Sequence, residues 1–296
     1  MAVLRVHRFK ALGGPCTLYA YAGDDAALRA GEAEARRIEA KYSRYRDDSI
    51  VSRINAAAGM AAVEVDEETA ALLDYAATAH AQSGGLFDIT SGVLRRVWNF
   101  KTERVPTQAE IDALLPLIGW DQVEWQRPHI RLPRAGMQID FGGFGKEYAA
   151  DRIAALLRAA GVRHGLVDLA GDICVLGPHQ DGSAWQVGVR HPRAAGAIAT
   201  VPLRHGAIAS SGDYERGFVH DGRRYSHILD PRSGWPVQGL AAVSVLADQC
   251  LIAGTAATCA MLLGDEQGPA WLAALGLPHL VVDAQMRVRG SVQSAP

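Results

Sequence analysis

At 296 residues, 49% hydrophobic and 21% charged, the chain has an average globular composition and can bury a full core. A net charge of −2 and the lack of any long basic run argue against a nucleic-acid partner. The apolar runs are short and broken by charge or glycine, so none reads as a membrane span.

Met1 to Lys10 alternates apolar and basic residues and reads as a strand, since a signal peptide needs an uninterrupted apolar core. Cys16 follows Leu12-Gly13-Gly14-Pro15, only superficially a lipoprotein cleavage site, because no apolar segment precedes it. Cys16, Cys174, Cys250 and Cys259 show no CxxC spacing and are expected to be buried free thiols. The cytoplasm is the expected compartment unless a leader has been removed.

Cys16–Tyr21 reads as a second strand. Asp24 or Asp25 is placed to cap a helix running to about Tyr42, with Leu28, Ala35, Ile38 and Tyr42 inward. The polar stretch from Ser43 is a loop, Ser49–Asn55 a helical turn, and Asp66–Gln82 a helix ended by Gly84-Gly85. Thr107–Leu114 carries capping-box spacing, Thr107 to Glu110. Short strands are expected at Gln122–Trp125 and His129–Leu132.

The central stretch runs from Ile139 to Arg152. An apolar run closes on Asp140, glycines follow at 142, 143 and 145, and Lys146 opens a helical pattern through Tyr148, Ile153, Leu156 and Leu157. A strand would deliver Asp140 to an edge, and a helix would then begin with free amides facing outward. Glycines, unpaired N–H groups and a lysine make an anion site; an ordinary strand-to-helix turn is the alternative. The pattern is neither Gly-x-Gly-x-x-Gly nor a P-loop.

Strands are expected at Gly165–Leu169, Ile173–Leu176, Trp185–Arg190, Ala199–Pro202, Ala207–Ser210, Gly217–His220, Arg224–Ile228, Val243–Leu246, His279–Val282 and Val288–Arg289. Helices are expected at Ile252–Leu263 and Pro269–Leu275. Many strands follow one another without helices between, so one α+β domain over residues 1–296 is expected, with mixed or antiparallel sheets and flanking helices.

Four glycine-rich polar stretches break the core pattern: Gly84–Gly92, the central stretch, Ala209–Arg216 and Tyr225–Pro236. Each has a purely structural reading. Asp88 is placed to cap the next segment, Asp140 to cap the helix it precedes, and His227 between strand residues to sit in the core. Asp230-Pro231-Arg232-Ser233-Gly234 makes a turn with a glycine exit. Together, four glycine-plus-acid loops exceed what folding needs.

FDITSGVLRRVWNF, IDFGGFGKEYAADRIAALLRAAG with VDLAGDI, and SSGDYERGF with RYSHILDPRSGWPV resemble the motifs of the FAD:protein FMN transferases, the ApbE family. RYRDDSIVSRINAAAG is similar to that family's first loop, and the motifs span nearly the whole chain in order. The resemblance implies an α+β fold that is partly tunnelling-fold-like, binding FAD as substrate with its diphosphate beside a divalent cation, usually Mg²⁺. It implies transfer of the FMN half of FAD to a threonine or serine of an acceptor protein, releasing AMP. Alternatives are a protein that binds or delivers FAD without catalysis, and a pyrophosphatase giving FMN and AMP. By position, FAD contacts would come from Leu12, Tyr45, Leu86, Phe87, Asp88, Asp140, Lys146 and Ile228 or Leu229. The metal would draw on the Gly143 carbonyl and the helix Ile252–Leu263.

In that family the last motif carries an aspartate and, four residues on, a threonine, both facing the metal. Here Thr258 is in place, but the aspartate position is Gly254. Mg²⁺ is usually held by one or two carboxylates plus substrate phosphates, so another group should replace it: Asp172, Asp213, a water held by Thr255, or the diphosphate itself. The acid or base is open among Asp140, Asp213 and Asp230, with His227 a further choice.

Overall fold

The computed structural model describes residues 3–21 and 25–292; Asp24 and the first two residues of the expected opening strand lie outside them. In chain order come the hairpin β1 (Leu4–Ala11) and β2 (Gly14–Tyr21), then α1 (Asp25–Tyr42), α2 (Ile50–Ala56), β3 (Val63–Glu64) and α3 (Glu67–Gln82). Next are α4 (Gln108–Asp112), β4 (Glu124–Gln126), β5 (His129–Arg131), α5 (Gly145–Ala159), β6 (His164–Leu169) and β7 (Asp172–Gly177). They are followed by β8 (Trp185–Arg190), β9 (Ala197–Leu203), β10 (Gly206–Gly212), β11 (Gly217–His220) and β12 (Arg223–Ser226). The described chain closes with β13 (Leu240–Ala247), α6 (Cys250–Ala274), β14 (His279–Asp283) and β15 (Val288–Gly290).

An eight-stranded sheet runs β1-β2-β6-β7-β10-β13-β14-β15, with every neighbouring pair antiparallel. Side chains on a strand alternate between faces, and two hydrophobic clusters result. Leu18, Val167, Ala209, Val243 and Val245 pack with α1, α5 and α6 on one side. Leu166, Val175 and Ile208 pack under the β8–β9 hairpin, against Trp185, Val187 and Val201, on the other. The helices approach closely because their inner stripes are small: a Cβ on Gly31 of α1 would stand 2.8 Å from Leu18 Cδ1. All four cysteines are buried and unpaired. Among the described residues, no helix is long and apolar enough to cross a membrane.

Several expectations are corrected. Residues 137–141 are not a strand. The Asn55 side chain takes the place of a strand neighbour, accepting the Ile139 amide at 2.7 Å and donating to the Ile139 carbonyl at 3.0 Å. The Asp140 amide then bonds to the Ile89 carbonyl at 2.9 Å. The segment expected to be a strand from Gln122 instead opens with a 3-10 turn at Trp120–Gln122, so β4 begins at Glu124. β12 stops at Ser226, leaving His227 and Ile228 beyond the strand. The last two expected helices run together as α6, kinked at Gly264, where φ is +85°. A 3-10 helix at Ile89–Arg96 was not expected; Asp88 opens it.

Candidate active site

The glycine turn between Asp140 and α5 is set on an aromatic floor. Phe141 and Phe144 flank Gly142-Gly143, lie 5.0 Å apart, and meet Tyr42 at 5.3 Å, Tyr75 at 5.9 Å and Phe87 at 6.1 Å. Aromatic pairs of this kind are each worth about 0.5–1.5 kcal/mol beyond burial, so the turn is fixed from beneath while Gly142 and Gly143 stay exposed. Gly143 rests on the Phe87 ring; a Cβ there would stand 3.3 Å from Phe87 Cζ.

The amides of this turn are largely taken. Gly142 donates to Asp140 Oδ1 at 2.9 Å, and Phe144 and Gly145 both donate to the Phe141 carbonyl. The expected row of free helix amides is therefore absent at those positions, and side-chain cations carry the positive charge instead. Arg44 donates to Asp140 Oδ2 at 2.8 Å and to the Gly92 carbonyl at 3.2 Å. Arg95 stands 3.8 Å from the same carboxylate. Burial lowers the Arg95 pKa, and the Asp140 charge partly offsets this; Arg44, Tyr45 and Arg216 lie within electrostatic reach. Arg216 belongs to no ion pair among the described residues and lies over the turn after Leu12, 3.4 Å from a Cβ built on Gly13. Arg44 and Arg95 thus share one aspartate, and Arg216 adds a third guanidinium within electrostatic reach of Arg95, which leaves an excess of positive charge.

Lys146 is not mobile. Its Nζ is paired with the buried carboxylate of Asp172, at the start of β7. Burial alone would lower the Lys146 pKa, but Asp172 holds it above the ordinary lysine value. Burial, then the charges of Arg95 and Arg216, push His227 down to about 4, so its ring is neutral at physiological pH. Its Nδ1 lies 3.2 Å from the Arg216 carbonyl, so Nδ1 carries the proton and Nε2 keeps its lone pair.

On the other side of Lys146, Glu147 is buried against α6. Burial, then the Asp172 charge, raise its carboxyl to about 8, and Oε2 has no hydrogen-bond partner. It lies against Gly254. One turn further on, Thr258 Oγ1 meets Ser211 Oγ at 2.8 Å. Among the described residues, no group of three His, Cys, Asp or Glu side chains is arranged to hold a metal. The oxygens at hand are a carbonyl, a hydroxyl and one orphaned carboxylate, a set that suits a hard cation also bound to substrate phosphates.

Arg95 lies within electrostatic reach of Tyr45, Asp140 and His227, Lys146 within reach of His227, and Arg216 meets the turn that follows Leu12. Tyr45 is 81% exposed with its ring 5.7 Å from the Arg44 guanidinium. Leu86, Phe87 and Ile228 are buried beside it, and Leu229 is half-buried in a bridge to Pro236. Asp88 serves the backbone: it accepts from the Thr90 amide at 2.7 Å and the Trp120 amide at 2.9 Å. Asp230 builds its own turn, accepting the Arg232 amide at 2.8 Å and the Ser233 hydroxyl at 3.2 Å. Asp213 is held by Arg193 at 2.6 and 2.7 Å in a cleft of about 180 Å³. Arg44, Arg95, Arg216 and Glu147 were not singled out in the sequence; their only signal is that each lies within a stretch carrying the family resemblance.

Fold and site together define an α+β protein with an anion-favouring centre at the strand ends of a helix-backed antiparallel sheet. The ApbE family model matches residues 12–281. A FAD:protein FMN transferase of Treponema pallidum (strain Nichols) is 35% identical over 274 residues, spanning 86% of this chain and 76% of that protein. The crystal structure of the ApbE protein of Thermotoga maritima superposes with a TM-score of 0.92 at 31% identity, covering 98% and 97% of the two chains. That of the Pseudomonas stutzeri flavinyl transferase ApbE, in its apo form, superposes with a TM-score of 0.86 at 30% identity, covering 99% and 95%. The chain belongs to the ApbE family.

Proposed function

We propose that this chain moves the FMN half of FAD onto a threonine or serine hydroxyl of an acceptor protein and releases AMP. The observation that carries the reading is the excess of guanidinium charge around Asp140, beside the Lys146–Asp172 pair. A dinucleotide diphosphate is a dianion, and charge placed in advance where phosphoryl negative charge develops is the main source of catalysis in such transfers. The names of the relatives support the same chemistry.

In the reaction the acceptor oxygen attacks the phosphorus of the FMN half, the bond from that phosphorus to the bridging oxygen breaks, and AMP departs with that oxygen. The acceptor hydroxyl must lose its proton. Asp140, Asp213 and Asp230 are each engaged by arginines or by backbone and side-chain donors, whereas His227 Nε2 has a free lone pair. His227 is therefore assigned as the proton acceptor, its basicity restored when the bound diphosphate offsets the Arg95 and Arg216 charges that depress it. Arg44, Arg95 and Arg216 neutralise the diphosphate, Tyr45 offers a ring face to the flavin or adenine, and Leu86, Phe87, Ile228 and Leu229 exclude water. A divalent cation, Mg²⁺ in this reading, would neutralise phosphate charge between the Gly143 carbonyl and the Thr258 end of α6.

The test is incubation with FAD, MgCl₂ and a threonine-bearing acceptor. Flavin fluorescence on the denatured acceptor with stoichiometric AMP is expected. FAD recovered intact would identify a binding or delivery protein, and free FMN with AMP a pyrophosphatase; either would overturn the reading.

A further inference from the structure

We infer that Glu147, on the first turn of α5, supplies the charged ligand of the divalent cation, from the side opposite α6. This rests on the metal-assisted reading above.

While Glu147 holds its present conformation, position 254 is closed to a side chain. A Cβ there would stand 2.4 Å from Glu147 Cγ, 2.7 Å from Oε1 and 2.9 Å from Cδ. Glycine inside a helix is unfavourable by about 1 kcal/mol relative to alanine; here it makes room for one carboxylate from a neighbouring helix. That carboxylate is only 7% exposed as a residue, leaves Oε2 unpartnered, and forms no ion pair among the described residues. The adjacent Lys146 is turned to Asp172. A buried carboxylate with an unpartnered oxygen is costly to ionise, so a cation placed against Oε2 would offset that cost and take the place of the proton. Gly254 and Thr258 are one turn apart and share a helix face, so Glu147 reaches the volume a carboxylate on residue 254 would otherwise fill. The Gly143 carbonyl, Glu147 carboxylate and Thr258 hydroxyl are hard oxygen donors, and one carboxylate with substrate phosphates is a usual Mg²⁺ complement.

The test is titration of the FAD-bound chain with MnCl₂, reading free Mn²⁺ by electron paramagnetic resonance, with MgCl₂ as competitor. Glu147→Gln is nearly isosteric and is expected to weaken Mn²⁺ binding by on the order of tenfold or more, while leaving the metal-free melting temperature unchanged or higher. Gly254→Asp alone should also weaken it by crowding Glu147. The double variant Glu147→Ala/Gly254→Asp should recover much of the wild-type affinity. Equal Mn²⁺ affinity in wild type and Glu147→Gln overturns the inference and leaves the metal-assisted reading standing. No Mn²⁺ uptake by wild type with FAD bound overturns both.

Discussion

The Asp151 carboxylate of α5 accepts the Leu251 amide of α6 at 2.9 Å, and its second oxygen takes the Cys250 amide at 2.8 Å. The residue at the cap position itself, Gln249, makes no side-chain cap bond. One helix therefore caps another, and the same contact fixes the face of α6 that meets Glu147. Asp151→Ala should cost about 1–2 kcal/mol of stability, read as a lower denaturation midpoint, and should loosen FAD binding as well. A change in stability with unaltered FAD affinity would show that the cap does not position the site.

Arg44 and Asp140 should respond in opposite senses. Arg44→Ala removes a charge-assisted bond and leaves Asp140 less neutralised, so FAD affinity should fall by about tenfold, corresponding to about 1.4 kcal/mol. Asp140→Asn removes the negative charge that the guanidiniums share; it should lower stability yet keep or tighten FAD binding. Calorimetric titration of both variants with FAD checks the pair. Parallel losses of affinity would mean that Asp140 itself contacts the ligand.

His227 gives a pH signature. Its folded pKa of about 4 lies below the ordinary histidine value of 6.5. Between those values the unfolded state binds the proton that the folded state refuses, so stability rises with pH across that window. It should fall as the pH drops from 6.5 towards 4, and His227→Gln should flatten that part of the curve. A histidine resonance titrating near 6.5 and assigned to His227 would contradict this.

Gly234 closes the Asp230 turn with φ +72°, and a Cβ would meet Ile111 Cγ2 at 2.4 Å. The turn also holds Trp98, whose indole donates to the Gly234 carbonyl at 2.8 Å. Gly234→Ala combines left-handed strain with overpacking and should destabilise by about 2 kcal/mol or more, measured by thermal unfolding.

The elements that alternate or repeat at 3.6 residues were legible in the sequence: β2, β8, α1 and α3 fall where expected. Motif-bearing loops were legible too, and Asp140, Lys146 and His227 do share a centre. What escaped was long-range. That Ile139 pairs with Asn55, 84 residues earlier, leaves no local pattern. That the Gly142 and Gly145 amides are occupied depends on the turn's fold. Gly254 read alone as the loss of a carboxylate; only the packing of α5 on α6 shows Glu147 against it.

The Asn55–Ile139 pairing has a further consequence. The backbone presenting Asp140 is held by the Asn55 side-chain amide and by one bond to the Ile89 carbonyl instead of a ladder, so its placement is uncoupled from the pitch and coil of the large sheet. Reshaping the ligand-facing rim could then proceed through one or two side chains, with the load-carrying strands left untouched.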